Sequence, residues 1–228
     1  MRTQQRIKLI LFSALAILIV LTQWAFPVDA AIDATYAQVW GFEASTAGYS
    51  GQDAYLTTPN PNIGTQTWTA GPNGVTNNID TFMESGPIKD CRDDCGLHPY
   101  GSWRNKLGNK GFWVDTARWL GAGQQYHYYV VNGIDGKPNK FRAFYCNATT
   151  CYAMVTGNLR MSSLPYVASG GESIYPGVHW GSITTRYNTY KDGGNGNWYA
   201  WCYQYVQNNV NGTISACNSS DHSWTASY

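Results

Sequence analysis

The feature that most constrains the fold is the spacing of short apolar runs between turn signals. Beyond residue 30, no segment carries a 3.6-residue apolar period. Aromatic and β-branched runs recur instead, separated by clusters such as Gly-Pro-Asn-Gly and Asp-Gly-Gly-Asn-Gly. Strands of this kind bury their apolar side chains by packing one sheet on another. The sequence therefore predicts an all-β chain, a jelly-roll β-sandwich of two antiparallel sheets.

We predict about a dozen strands from these runs. They cover residues 36–44, 53–57, 65–69, 78–88, 112–116, 126–132, 140–145, 152–157, 164–168, 182–188, 198–206 and 213–215. No linker or repeat interrupts the series, so residues 31–228 are expected to form a single domain.

The first 30 residues predict a secretory signal peptide. Arg2, Arg6 and Lys8 precede an apolar run over residues 9–21, and small residues lead to a cleavage site after Ala30. An uncleaved anchor is the alternative, because the apolar stretch approaches the length that spans a bilayer. We expect export, and hence a secreted, extracellular protein.

The charge of the mature chain argues against some partners. Residues 31–228 carry 12 basic and 13 acidic side chains, a net charge near −1. A near-neutral surface has no electrostatic footprint for nucleic acid or for an anionic membrane. We expect a monomer that has no contact with the membrane once the signal is removed.

Six cysteines fall into three close pairs along the chain. The pairs are Cys91 with Cys95, Cys146 with Cys151, and Cys202 with Cys217. Zinc binding is an alternative, but no C-x2-C spacing occurs and an exported chain enters an oxidising compartment. Among the many connectivities that six cysteines allow, the spacing favours three local disulfides.

Glutamate is rare, and its positions suggest chemistry. The chain contains Glu43, Glu84 and Glu172 and no other glutamate. Glu84 ends an alternating segment before Ser-Gly-Pro, and Glu172 follows a predicted strand in a Gly-rich corner. Two carboxyl groups brought close together share one proton, so that one activates water and the other stabilises the developing oxyanion. The alternative is that each is a solvated residue at a strand end.

Two segments resemble the glutamic peptidases: the neprosins and, more distantly, the eqolisins. The segment GYSGQDAYLTTPNPNI, followed by IDTFMESGPI, fits the neprosin pattern G-x-x-A-x-[VIL]-x4-P-x-[VI]. The matching residues are Gly51, Ala54, Leu56, Pro61 and Ile63. The stretch YKDGGNGNWYAW is similar to the neprosin KD-x-x-x-GNWW. The chain also resembles uncharacterised secreted bacterial proteins with the same cysteine pairs.

This resemblance implies a concanavalin-like jelly roll and peptide-bond hydrolysis by water at acid pH, without metal or cofactor. The first catalytic residue, Glu in neprosins and Gln in eqolisins, falls on Glu84. The second neprosin Glu follows the GNWW strand, where this chain has none. In eqolisins it lies on the next inner strand, a place that Glu172 can fill. Either Glu84 and Glu172 form the pair, or the fold persists without catalysis; which carboxylate acts as the base is left open.

A non-catalytic binding module is the main alternative. Segments such as NWYAWCYQYV are dense in aromatic rings, which bind polysaccharide or extended peptide when they are exposed. Glycoside hydrolysis by two glutamates is a weaker alternative, because the E-x-D-x-E pattern is absent. Asp90, Asp93 and Asp94 suggest calcium, but their spacing is not that of a known loop. The four histidines are scattered, so we predict no metal site.

Overall fold

The computed structural model describes residues 36–78 and 80–228, so the predicted signal peptide and its cleavage site lie outside the described residues. Fifteen β-strands and one short 3-10 turn, at Ile134–Gly136, make up the regular structure. The strands are β1 (Ala37–Thr57), β2 (Trp68–Ala70), β3 (Asn73–Asn78), β4 (Thr81–Asp90), β5 (Gly96–Arg104), β6 (Lys110–Val114), β7 (Gln125–Val131), β8 (Lys140–Cys146), β9 (Cys151–Asn158), β10 (Leu164–Ser173), β11 (Ser182–Asp192), β12 (Trp198–Ala200), β13 (Tyr205–Asn208), β14 (Thr213–Ile214) and β15 (Trp224–Ser227). The all-β prediction is confirmed.

Strand β1 belongs to both layers of the fold. Its first half pairs with β10 on one side and β13 on the other, and its second half pairs with β11 and β7. A register shift between Ala44 and Tyr49 separates the two halves. The first layer therefore runs β13-β1-β10-β2/β3-β4-β5-β6, and the second runs β14-β15-β11-β1-β7-β8-β9. All of the pairings are antiparallel, as predicted.

The core lies between the two layers. From the first layer it takes Val75, Met83 and Val167, and from the second Val130 and Phe141, all at most 1% exposed. Successive side chains of a strand point to opposite faces. Glu84, which follows Met83, and Ala168, which follows Val167, therefore point away from the second layer. This leaves the outer face of the first layer available for a site.

Both glutamates lie inside strands: Glu84 falls within a strand as predicted, whereas the prediction that Glu172 follows the end of a strand was wrong. Strand β4 continues past Glu84 through Ser-Gly-Pro, since Pro87 lies opposite Pro99 of β5 and neither residue has an N–H to donate. The predicted start at residue 78 was also wrong: Asn78 ends β3, and β4 begins at Thr81.

Strand β10 continues through its two glycines to Glu172. These glycines do not form a turn; they lie where neighbouring atoms come too close for a Cβ. A Cβ at Gly170 would lie 2.2 Å from the Val39 carbonyl oxygen, and a Cβ at Gly171 would lie 2.3 Å from the Trp180 ring nitrogen. Glycine is thus required there by its crowded neighbours, while the backbone remains extended.

The three predicted disulfides are present: Cys91–Cys95, Cys146–Cys151 and Cys202–Cys217. The first two close short loops at the ends of strands, and the third ties the segment after β12 to the segment after β14. In the described part of the chain, no helix is long and apolar enough to cross a membrane.

Candidate active site

Glu84 and Glu172 stand on the same outer face of the first layer, on strands that flank a single segment. Glu172 of β10 lies opposite Ala70 of β2, and Glu84 of β4 lies opposite Gly74 of β3. Ala70 in turn lies opposite Ile88 of β4. One segment therefore lies between the two glutamates. Across it, Glu172 is level with Ile88 of β4, and Glu84 lies four residues from Ile88 along the same strand. They are close enough that the charge of Glu172 raises the pKa of Glu84.

The floor between the two carboxyl groups consists of glycine and alanine. On this face lie Ala70, Gly74, Gly86, Ala168 and Gly170. All five are buried, and backbone of neighbouring segments fills the space where a Cβ would stand at Gly74, Gly86 and Gly170, so these small residues let the strands pack closely around the two carboxyl groups. A Cβ at Gly86 would lie 1.8 Å from the Gly71 carbonyl oxygen, so a larger residue there collides with backbone.

Glu84 is half-buried, and its pKa is raised well above the ordinary value. Burial is the largest cause, and repulsion by Glu172 adds to it. The hydroxyl of Tyr100, which is 2% exposed, opposes the shift by approaching the carboxyl group. That approach falls short of standard hydrogen-bond geometry, and the hydroxyl has no other partner among the described residues. Glu84 therefore favours its protonated form.

Glu172 is 8% exposed, and burial raises its pKa to about 7. A hydrogen bond from the Gln38 side chain, directly opposite on β1, lowers the pKa and so opposes burial. Of the two carboxyl groups, Glu172 is the one whose ionised form receives an amide donor. The pair can therefore hold one proton, on Glu84, while Glu172 is ionised.

Glu43 does not join this pair. It lies opposite Val167, whose side chain is in the core, so Glu43 points to the inner side of the first layer. Burial raises its pKa to about 7, and its charge raises the pKa values of Tyr49 and Tyr190. It is thus a partly buried carboxyl group on the opposite face from Glu84 and Glu172.

The acidic cluster and the histidines form local pairs. The Asp90 carboxylate accepts from the Arg92 guanidinium, and Asp94 pairs with His98 at 2.9 Å. Asp53 pairs with His127 at 2.7 Å in the second layer. Among the residues that the structure describes, no group of three or more His, Cys, Asp or Glu side chains is arranged to hold a metal ion.

Aromatic rings on the outer face of the second layer stack on one another. Tyr55 and His127 lie nearly parallel with centroids 4.8 Å apart, and Tyr129 and Phe144 do the same at 4.4 Å. Rings stacked across neighbouring strands stabilise the sheet. Other rings are open to solvent, among them Trp113, Trp119 and Trp198, which are 54%, 65% and 44% exposed.

No sequence signal pointed to two residues beside the glutamates, Gln38 and Tyr100. Strand pairing brings Gln38 beside Glu172 and Tyr100 beside Glu84. The members of each pair are too far apart along the chain to belong to one local motif. Only Gln38 lies inside a segment that we predicted as a strand; the strand that carries Tyr100 was missed.

Comparison with solved structures supports the fold. The chain matches Scytalido-glutamic peptidase bound to a peptide-based transition-state analogue, with a TM-score of 0.58 and 11% identity over 86% of this chain and 98% of that one. It matches SCP-B, a member of the eqolisin family of peptidases in complex with the tripeptide Ala-Ile-His, with a TM-score of 0.57, 11% identity and the same coverage. No family model and no curated protein sequence matches the chain. At this identity, the likeness establishes a glutamic-peptidase-like β fold and no more.

Proposed function

We propose that this chain is a secreted endopeptidase of the glutamic type, in which Glu84 and Glu172 act together on a water molecule. The observation that carries the proposal is a pair of poorly solvated carboxyl groups with raised pKa values on one face, among buried small residues. Perturbed pairs of this kind are typical of acid–base catalysis. The fold shared with peptidases that bind peptide ligands supports a peptide substrate.

We assign the role of base to Glu172. Its ionised form accepts from Gln38, whereas Glu84 is held in its protonated form by burial and by the nearby negative charge. In the first step, Glu172 takes a proton from water as the water oxygen attacks the peptide carbonyl carbon. Glu84 donates a hydrogen bond to the carbonyl oxygen, which becomes negatively charged.

The second step releases the products. The tetrahedral intermediate collapses, the carbon–nitrogen bond breaks, and Glu172 returns its proton to the departing amine. Glu84 keeps its proton throughout, so the pair ends in the state in which it began. The residues present can carry out this sequence without a metal or a cofactor.

The pH range follows from the two pKa values. Activity rises with pH as Glu172 ionises and falls at higher pH as Glu84 loses its proton. The resemblance to glutamic peptidases implies an acid range, but burial raises both pKa values. We therefore propose that activity rises through mild acid and is greatest at and above neutral pH, between the two pKa values.

The export part of the proposal rests on the disulfides. Three local disulfides fit an oxidising, extracytoplasmic compartment. The alternative function, a non-catalytic module that binds polysaccharide or peptide, would use exposed rings such as those of Trp198 and Tyr199, which are 44% and 42% exposed, and would not require Glu172.

The test is hydrolysis of a denatured protein and of a peptide library by the mature chain, from strongly acid to mildly alkaline pH. We expect cleavage at internal bonds, and a loss of about 10²–10⁴-fold in Glu172→Gln. Glu43→Gln is the matched control, since it removes a partly buried carboxyl group from the other face. Folded protein that cleaves nothing at any pH would refute the proposal.

A further inference from the structure

Two glutamines continue the network beyond Glu172. Gln38 lies on β1 directly opposite Glu172, and Gln207 lies on β13, the strand on the other side of β1. The Gln207 Nε2 atom donates to Gln38 Oε1 at 3.1 Å. Gln38 and Gln207 are each 7% exposed and Glu172 is 8% exposed, so the three side chains form a buried row across three strands.

The hydrogen bond from Gln207 determines which end of the Gln38 amide faces Glu172. An amide has a donor end and an acceptor end, and the acceptor end of Gln38 is occupied by Gln207. Gln38 therefore turns its NH₂ group toward the carboxyl group. An NH₂ group can only donate, so it stabilises the ionised carboxylate and cannot accept from a protonated one.

The backbone around Gln38 is held in place independently. The Asn209 Oδ1 atom accepts from the Gln38 backbone N–H at 2.7 Å, and Asn209 Nδ2 donates to the Tyr36 carbonyl at 2.6 Å. Gln38 is thus fixed at its main chain as well as at its amide oxygen. With its main chain fixed, the Gln38 amide can change orientation only by rotation about its own side-chain bonds.

One atom of the row is left without a partner. Gln207 Oε1 is buried and makes no hydrogen bond among the described residues. If both amides turned over, the Gln38 NH₂ would donate to Gln207 Oε1, Gln38 Oε1 would accept from a protonated Glu172, and Gln207 Nε2 would become the atom without a partner. The row therefore has two arrangements, each with one unpartnered atom at Gln207, and the protonation state of Glu172 selects between them.

We propose that Gln207, acting through Gln38, is a positioning residue that holds Glu172 ionised before catalysis and turns over when Glu172 takes up a proton. Its catalytic role rests on the proposed function, but its coupling to Glu172 does not. Glu84 of β4 and Tyr100 of β5 are the titratable groups whose charges are coupled to that of Glu172 within the described part of the chain. The glutamine row approaches from the opposite side, on β1 and β13.

The decisive experiment is a carboxyl ¹³C NMR titration of the mature chain labelled at glutamate. The chain has three glutamates, so three resonances are expected, and each is assigned by its Glu→Gln variant. We expect Glu172 to titrate at higher pH in Gln38→Leu and in Gln207→Leu, with the larger change in Gln38→Leu. Glu43 should titrate at the same pH in all of the variants.

Controls separate positioning from folding. Gln52→Leu removes another fully buried amide, outside the row, and should leave Glu172 unchanged. Gln207→Met keeps the length of the side chain and removes both ends of the amide, so Gln38 is free to turn its oxygen toward Glu172, and Glu172 should titrate at higher pH, as in Gln207→Leu. A folded Gln207→Met variant in which Glu172 titrates at the wild-type pH would overturn the proposal.

Kinetics then tests the role in catalysis. Below the Glu172 pKa, kcat/KM should fall about tenfold for each unit by which that pKa rises, and the acid limb of the profile should move to higher pH. A merely structural role would lower stability and leave the acid limb in place. Because the NMR titration needs no turnover, it tests the row even if the chain cleaves no peptide.

Discussion

Glu84 lies directly opposite Gly74, and the two strands are so close there that a Cβ on the glycine would stand 2.8 Å from the Glu84 Cα atom and 2.2 Å from the Met83 carbonyl oxygen. Both atoms belong to the backbone, which cannot rotate away. The position of Glu84 in the site therefore depends on the absence of a side chain on the neighbouring strand.

We predict that Gly74→Ala destabilises the fold and displaces Glu84. Forcing one methyl group into this contact should cost about 1–3 kcal/mol, measured by urea unfolding. Peptidase activity, measured under folded conditions, should fall as well. Gly64→Ala is the control, since a Cβ there meets nothing within 4 Å. Equal stability of the two variants would contradict the prediction.

The two glutamates should respond differently to amide substitution. Glu172→Gln removes the base and should lower kcat by about 10²–10⁴-fold. Glu84→Gln retains a donor for the carbonyl oxygen and should lose much less activity. It should also lose the alkaline limb of the pH profile, because an amide does not titrate. Equal losses in the two variants would refute these roles.

Stability should also depend on Glu172 and pH. Burial raises its pKa from 4.5 to about 7, so folding is penalised as pH rises from the unfolded value through the folded value. At pH 8 this penalty amounts to about 3 kcal/mol by order of magnitude, and at pH 4 it vanishes. Glu172→Gln should thus be more stable than wild type at pH 8 and similar at pH 4, in urea unfolding at both values. A gain that is the same at both pH values would contradict the assignment.

The Cys202–Cys217 disulfide should contribute most among the three. It closes a loop of sequence separation 15, against separations of 4 and 5 for the others. Constraint of the unfolded chain grows with loop length, so replacing both cysteines with alanine should cost about 3 kcal/mol. Double-alanine variants of the other pairs provide the comparison in thermal unfolding. A larger loss for Cys91–Cys95 would show that native contacts, and not loop closure, dominate.

The sequence was sufficient for features that local patterns determine. Alternating runs and turn signals predicted an all-β chain, and cysteine spacing predicted the disulfides. Strand β5 was missed because Gly96–Arg104 contains His98-Pro99 and reads as a loop. Its proline is tolerated only because Pro87 lies opposite, a fact of pairing that the local sequence does not contain.

The same limit applies to the site. The rarity of glutamate pointed to Glu84 and Glu172, but their shared face and the residues around them depend on strand order. Gln38 and Gln207 are 169 positions apart and carry no common motif. The predicted strand over residues 198–206 also breaks after Ala200, and the second part, β13, pairs with β1 where it brings Gln207 beside Gln38.

Strand β1 is shared by the two layers, so the two layers are expected to unfold together. Its first half is bonded to the strand that carries Glu172, and its second half to the centre of the other layer. Melting of the second layer would free one half of β1 and loosen the other. We therefore expect a single cooperative unfolding transition, in which the far layer contributes to keeping the two carboxyl groups aligned although it provides neither of them.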